Sequence, residues 1–283
     1  MVIFRWIGKA ISYINNHFKA MLFLLLLFFI FNPFSEKNLE QPNLKTIKIE
    51  GQIERIDTIL ADIDEAIMNQ NIKGVLLQVD SPGGALAPSI ELSMAIKRLN
   101  QIKPVVAYAS GSMTSGSYYA SIWTRKIIAN PGAFIGSIGV LFQAPNIQPL
   151  ADKLGIKEQV ISAGEYKQMG TFTREWSAKE RAGLKELIDD AYELFINDVS
   201  RARGLKKERA KEFANARVFI AKKAQNIGLI DAVGSLYIAK KEIEDLANIQ
   251  KPIWEKPSEM DIFLKELKTS ASFPIFNLRG YIN

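Results

Sequence analysis

The sequence predicts an α/β fold with a layered, mostly parallel sheet. Three observations predict it. Short apolar runs, "GVLLQVD" (74–80), "PVVAYAS" (104–110) and "KIIAN" (126–130), are continuous rather than alternating, as in strands covered on both faces. Stretches with apolar residues at helical spacing lie between such runs, so strands and helices take turns along the chain. The first two runs each end in small, close-fitting residues, "SPGG" and "GSMTSGS", which read as tight turns at a sheet edge.

The elements follow in order. "NLEQPN" reads as a linker, and "TIKIEG" alternates as a strand does. Ile56, Ile59, Leu60, Ile63 and Ile67 then fall on one helical face. The strand 74–80 leaves through "SPGG", and a helix runs to about Leu99. After the strand 104–110 come the serine-rich turn, a short apolar segment "YYASIW", and strands at "KIIAN", "IGVLF" and "KEQVISAG". Ser177 with Glu180 forms a capping box that starts the clearest helix. Leu184, Leu187, Ile188, Ala191, Phe195 and Val199 are its expected buried stripe, and Gly204 ends it. More helix follows to about residue 247, broken by "GLIDAVGS". Pro252 and Pro257 introduce a tail whose apolar residues suit docking on a neighbour or on lipid.

At the N-terminus, "AMLFLLLLFFIF" (20–31) is uniformly apolar. A twelve-residue helix falls short of a ~30 Å hydrocarbon core, a length that also suits a signal-peptide core. No small-residue cleavage site follows it, and "ISYINNHF" with a snorkelling Lys19 can extend it. The expectation is therefore a single-pass membrane anchor, with the basic N-terminus inside and the body outside the cytoplasm. The expected organisation is a cytoplasmic stub and anchor over 1–34, a linker over 35–45, a catalytic domain over 46–250 and a tail over 251–283.

Composition narrows the chemistry. The net charge is +6, but Arg5, Lys9 and Lys19 supply half of it within the first nineteen residues, which contain no acid. No dense basic stripe remains for a nucleic-acid partner. There is no cysteine, which removes thiol chemistry, disulfides and cysteine metal sites. His17 is the one histidine, and it precedes the apolar run, so catalysis in the body must manage without imidazole. A serine nucleophile needs a base within hydrogen-bond reach, and a lysine can serve where burial disfavours the ammonium form. An oxyanion hole needs two N–H donors, and Gly83 and Gly84 in "DSPGGA" offer unobstructed amides beside a second turn. Composition alone does not choose among Ser110, Ser112, Ser115, Ser117 and Ser121, nor among the lysines.

Five segments, "VDSPGG", "SGSMTSGSYYAS", "GSIGV", "AGEYKQMGTFTRE" and "ARVFIAKKAQNIGLIDAVGS", resemble in order and spacing the bacterial signal peptide peptidase (protease IV) family. The resemblance covers roughly residues 45–247 and implies a Clp protease/crotonase-like fold. It implies Ser115 as nucleophile, Lys167 as general base, and Ser137 as the hydroxyl that orients the lysine. Gly83 and Gly116 would give the oxyanion N–H groups, with Gly84 an alternative. A substrate groove would include Gly84, Gly136, Ile138, Gly139 and Val140, where a strand edge pairs with extended peptide. The family usually has glycine where this chain has Ser117, and often histidine where it has Tyr166. Leftover signal peptides and other hydrophobic peptides are the implied substrates, with membrane lipid and further copies of the chain as partners. No cofactor and no metal is called for. Two rival readings are an acyl-CoA enzyme on a crotonase-like fold and a non-catalytic membrane scaffold. The first lacks the paired acids it needs, since 80–145 holds only Asp80 and Glu91.

Overall fold

The computed structural model describes residues 13, 14, 17–28 and 41–256. The chain divides into two compact units, Met1–Gln41 and Pro42–Asn283. In the first, residues 17–28 are helical. No helix among the described residues is long and apolar enough to cross a membrane. The expected anchor over 20–31 is thus described only to residue 28.

The second unit is built on a seven-stranded sheet. Strands β1 (Leu44–Ile53), β2 (Gly74–Gly84), β3 (Val105–Thr114), β4 (Lys126–Ala129) and β7 (Ala232–Val233) lie side by side in that order, all parallel. Helix α1 (Asp57–Met68) joins β1 to β2, α2 (Leu86–Ile102) joins β2 to β3, and the short α3 (Gly116–Ser121) leads from β3 towards β4. The continuous apolar runs have a plain cause, because successive side chains point to opposite faces. Val75, Leu77 and Val79 face the main core with α1, α2 and α3, while Leu76, Val106 and Tyr108 face a second cluster under α8 (Leu236–Leu246).

Where β2 meets β3 the register breaks. Val79 pairs with Ala109, but Ser81 pairs with Met113. Asp80 holds this bulge by accepting the Ser112 N–H at 2.9 Å, and a Cβ on Gly111 would stand 2.4 Å from the same carboxylate. Beyond the bulge β3 exchanges β4 for β5 (Phe134–Gly136), with Thr114 opposite Gly136, and β5 pairs antiparallel with β6 (Val218–Ile220). The upper end of β3 thereby stands at a fork in the sheet, where a groove can open.

Helix α5 (Ala178–Arg203) carries the predicted capping box, with both Ser177–Glu180 bonds present, and ends at Gly204 with φ 63°. Its apolar contacts with the core come from the C-terminal half: Phe195, Ile196 and Val199 are buried, whereas Leu187 is exposed. Residues 157–164 and 138–142, both expected as strands, form none. The first residues of the expected tail belong to the body, since Trp254 bridges to Leu44 and Ile253 O accepts the Asn43 N–H. The tail beyond residue 256 lies outside the described residues.

Lys45 fastens this corner. Its side chain is 6% exposed and meets Glu65 at 2.6 Å, Glu255 at 3.2 Å and Asp62 at 3.6 Å. Burial alone pulls its ammonium down, but the hydrogen bonds it donates to Glu65 and Glu255 and the charges of Glu255 and Asp62 hold it above the ordinary lysine range. Lys45→Ala is expected to cost about 1–2 kcal/mol in urea unfolding, at the low end because the carboxylates stay partly solvated. A lysine raised in the folded state contributes fully below the unfolded value. Wild-type stability from this corner should therefore fade only as pH climbs through the lysine range.

Candidate active site

At the fork, β3 turns into α3 through Ser115. Its backbone is at φ 52° and ψ −123°, a conformation unfavourable for any residue with a side chain. Two bonds hold it there: Ser115 N–H donates to Gly136 O at 2.7 Å, and Ser115 O accepts from Tyr119 N–H at 2.9 Å. Ser115 sits at the N-cap position, yet its side chain makes no capping bond. Strain of this kind persists only where surrounding structure imposes it, and a strained strand-to-helix turn is what presents a hydroxyl outward.

Glycines close in around this turn. Gly83 has φ +94°, and a Cβ there would stand 2.6 Å from Gly116 N, 2.8 Å from Thr114 O and 2.9 Å from Ser115 Cβ. A Cβ on Gly116 would meet Ser89 Oγ at 2.1 Å and Gly84 N at 3.3 Å. The two predicted turns therefore touch through bare backbone. Of the amides in the first turn, that of Gly83 donates to Ser81 Oγ at 3.2 Å.

A groove of about 550 Å³ runs over these residues. Gly83, Gly84, Ser115, Gly116, Ser137, Gly139 and Val140, all singled out from sequence, line it together with Leu86, Tyr119, Leu141, Phe195 and Ala216. Gly136 and Ile138 lie behind it: Gly136 O holds Ser115, and the carbonyl of the fully buried Ile138 accepts the Ala216 N–H at 3.0 Å. Ser137 also takes a positive φ, 51°, and its N–H donates to Arg217 O at 2.8 Å. Phe195 and Tyr119 meet edge to face with centroids 4.7 Å apart and wall one side. Sequence periodicity reads Phe195 only as helix core.

Lys167 is not among the residues lining this groove. It is exposed, in a turn where its N–H donates to Gly164 O at 3.2 Å. The segment that carries it presents Leu141, Leu150, Leu154, Ile156 and Ile161 to solvent, with Ile161 fully exposed. Ion pairs of Glu165 with Lys179 and of Arg174 with Glu180 return it to the body. Arg174 donates to both carboxylate oxygens of Glu180, at 2.9 and 2.7 Å, and to Gln168 Oε1 at 3.1 Å, beside Lys167. The Arg174 guanidinium, followed by the backbone bond from Ser177, pulls the Glu180 carboxyl down to about 2. That pair stays ionised through all ordinary pH and is lost only as pH falls towards that value.

Residues 97–250 match Peptidase family S49. The chain belongs to that family. It is a serine peptidase by that membership, on an α/β, mostly parallel fold. A putative protease of Synechocystis sp. is 34% identical over 185 residues, covering 65% of this chain and 67% of that protein. A putative signal peptide peptidase SppA of Enterococcus faecium is 32% identical over 164 residues, 58% of this chain and 48% of the relative. The chain thus spans about two thirds of the first relative and about half of the second. Among solved structures, a serine-to-alanine mutant of the 1510-N membrane-bound stomatin-specific protease superposes with a TM-score of 0.53 at 16% identity, over 78% of this S49 chain and all of that one. At that identity the likeness concerns the fold.

Proposed function

We propose that this S49 member is a membrane-anchored endopeptidase that degrades cleaved signal peptides through a Ser115–Lys167 dyad. The observation that carries the reading is Ser115 itself, a strained, non-capping serine that lines a groove and is pressed against the 83–84 glycine turn. The amine of Lys167 takes the proton from Ser115 Oγ, which attacks the scissile carbonyl. The tetrahedral oxyanion accepts hydrogen bonds from Gly116 N–H and from the 83–84 turn. Because Gly83 N–H is given to Ser81, Gly84 is the better second donor. The lysine returns its proton to the leaving amine, then activates the water that hydrolyses the acyl ester. Ser137, on the groove wall, orients the lysine when the two meet.

The exposed position of Lys167 and the apolar surface beside it favour a homo-oligomer in which a second copy brings its lysine to the groove. The apolar run 20–31 supports an anchor in the cell membrane, with the catalytic unit on the extracytoplasmic side, next to spent signal peptides. The test is cleavage of a hydrophobic reporter peptide by the full chain in detergent or lipid. The rate is expected to rise from neutral into alkaline pH, since only the uncharged amine can accept the serine proton. A profile flat from acid to alkali would refute a lysine base.

A further inference from the structure

We propose that Ser117 is a positioning residue, a pin that fixes the distance between the nucleophile turn and the glycine turn opposite. The inference rests on Ser115 as nucleophile, and Ser117 has no part in the reaction steps themselves. Ser117 is fully buried in the first turn of α3. Its Oγ accepts the Thr114 N–H at 2.9 Å and lies 2.7 Å from Ser81 O and 2.9 Å from Thr114 O, sharing one proton between two carbonyls. Ser81 is also fully buried, and its own hydroxyl accepts the Gly83 N–H. A chain of bonds therefore runs from the helix that follows the nucleophile to the turn that carries Gly84.

Ladder pairing does not do this job at the same place. The β2–β3 register shifts between Val79 and Ser81, so the glycine turn leaves the regular ladder just before it reaches the nucleophile. The Ser117 hydroxyl bridges that gap. Without it, Thr114 N–H and Ser81 O lose a partner in a site closed to water, and the spacing of the Gly84 and Gly116 amides is free to drift. Displacing a catalytic group by about 1 Å can cost roughly 10²-fold in rate.

The test compares Ser117→Ala, Ser81→Ala and Ser93→Ala in the full chain with a hydrophobic reporter peptide. Ser93 is a matched control, a buried serine on α2 whose hydroxyl donates to Tyr119 O. Ser117→Ala is expected to lower kcat roughly 10–100-fold with KM within about two-fold. Affinity for a peptide boronate, a mimic of the tetrahedral state, should fall by a similar factor, while affinity for the uncleaved peptide, measured in a Ser115→Ala background, should not. Ser81→Ala is expected to follow Ser117→Ala in direction, and Ser93→Ala to lose stability but keep kcat. Wild-type kcat and boronate affinity in folded Ser117→Ala would overturn the inference, as would equal losses in Ser93→Ala. Should Ser117→Ala not fold, Ser117→Cys, whose thiol is a poor hydrogen-bond partner of similar size, takes its place, and unchanged boronate affinity in that variant would overturn the inference. Activity surviving in Ser115→Ala would instead bring down the underlying nucleophile assignment, so the two failures are distinguishable.

Discussion

Ser115→Ala and Lys167→Ala are each expected to lose on the order of 10⁴-fold or more in kcat, and the double variant is expected to lose no more than either. Groups that act as one unit are not additive, because removing either leaves only the residual help of binding and oxyanion contacts. The more telling result concerns mixing. Co-expressed with separate tags and purified as mixed oligomers, the two dead variants should regain roughly a quarter of wild-type activity, since random neighbours then pair an intact serine with an intact lysine. The reason is positional. Ser115 lines the groove of its own subunit, whereas Lys167 is exposed on a segment whose apolar side chains face outward. Mixed oligomers that stay dead would mean that serine and lysine come from one chain, and the second-copy arrangement would have to be abandoned.

That exposed segment also marks where the sequence stops being readable. The strands 74–80 and 104–110 can be read because both of their faces are covered within one subunit, Leu76 on one side and Val75 and Leu77 on the other. "KEQVISAG" has a similar apolar pattern but gains no sheet partner, so pattern alone overstates it. Leu187 falls on the expected buried stripe and is exposed, because the first half of α5 stands clear of the core. In each case the apolar pattern is present without the burial it predicts, because spacing along the chain does not record whether a covering element is there.

The candidate site divides in the same way. Two small-residue turns after neighbouring strands can be placed at one sheet edge before any coordinates, and they do meet there through Gly83 and Gly116. Which of five serines stands apart cannot be read from composition. The backbone decides it, since Ser115 combines a positive φ with a side chain free of capping duty, while Ser117 and Ser121 are bound up in backbone contacts. Neighbouring residues of one type thus divide into a nucleophile and its supports through φ and hydrogen bonding, neither of which a residue letter records.

Gly83→Ala is expected to abolish measurable peptidase activity, a fall of at least roughly 10³-fold, comparable with losing an oxyanion donor outright. The added methyl would sit 2.6 Å from Gly116 N and 2.9 Å from Ser115 Cβ, both on backbone or rigid neighbours that cannot swing aside. Either the glycine turn or the nucleophile turn must move, and each movement separates Ser115 from the amides meant for the oxyanion. Backbone strain is a second effect, because Gly83 has φ +94°, where a side chain costs about 1–3 kcal/mol. Gly204→Ala separates the two. Gly204 also has a positive φ, +63°, but a Cβ there meets nothing within 4 Å. It should therefore lower the melting temperature through strain alone and leave kcat untouched. If Gly83→Ala behaved like Gly204→Ala, losing stability while turning over normally, the close approach of the two turns would be packing and nothing more, and the oxyanion would have to be held elsewhere.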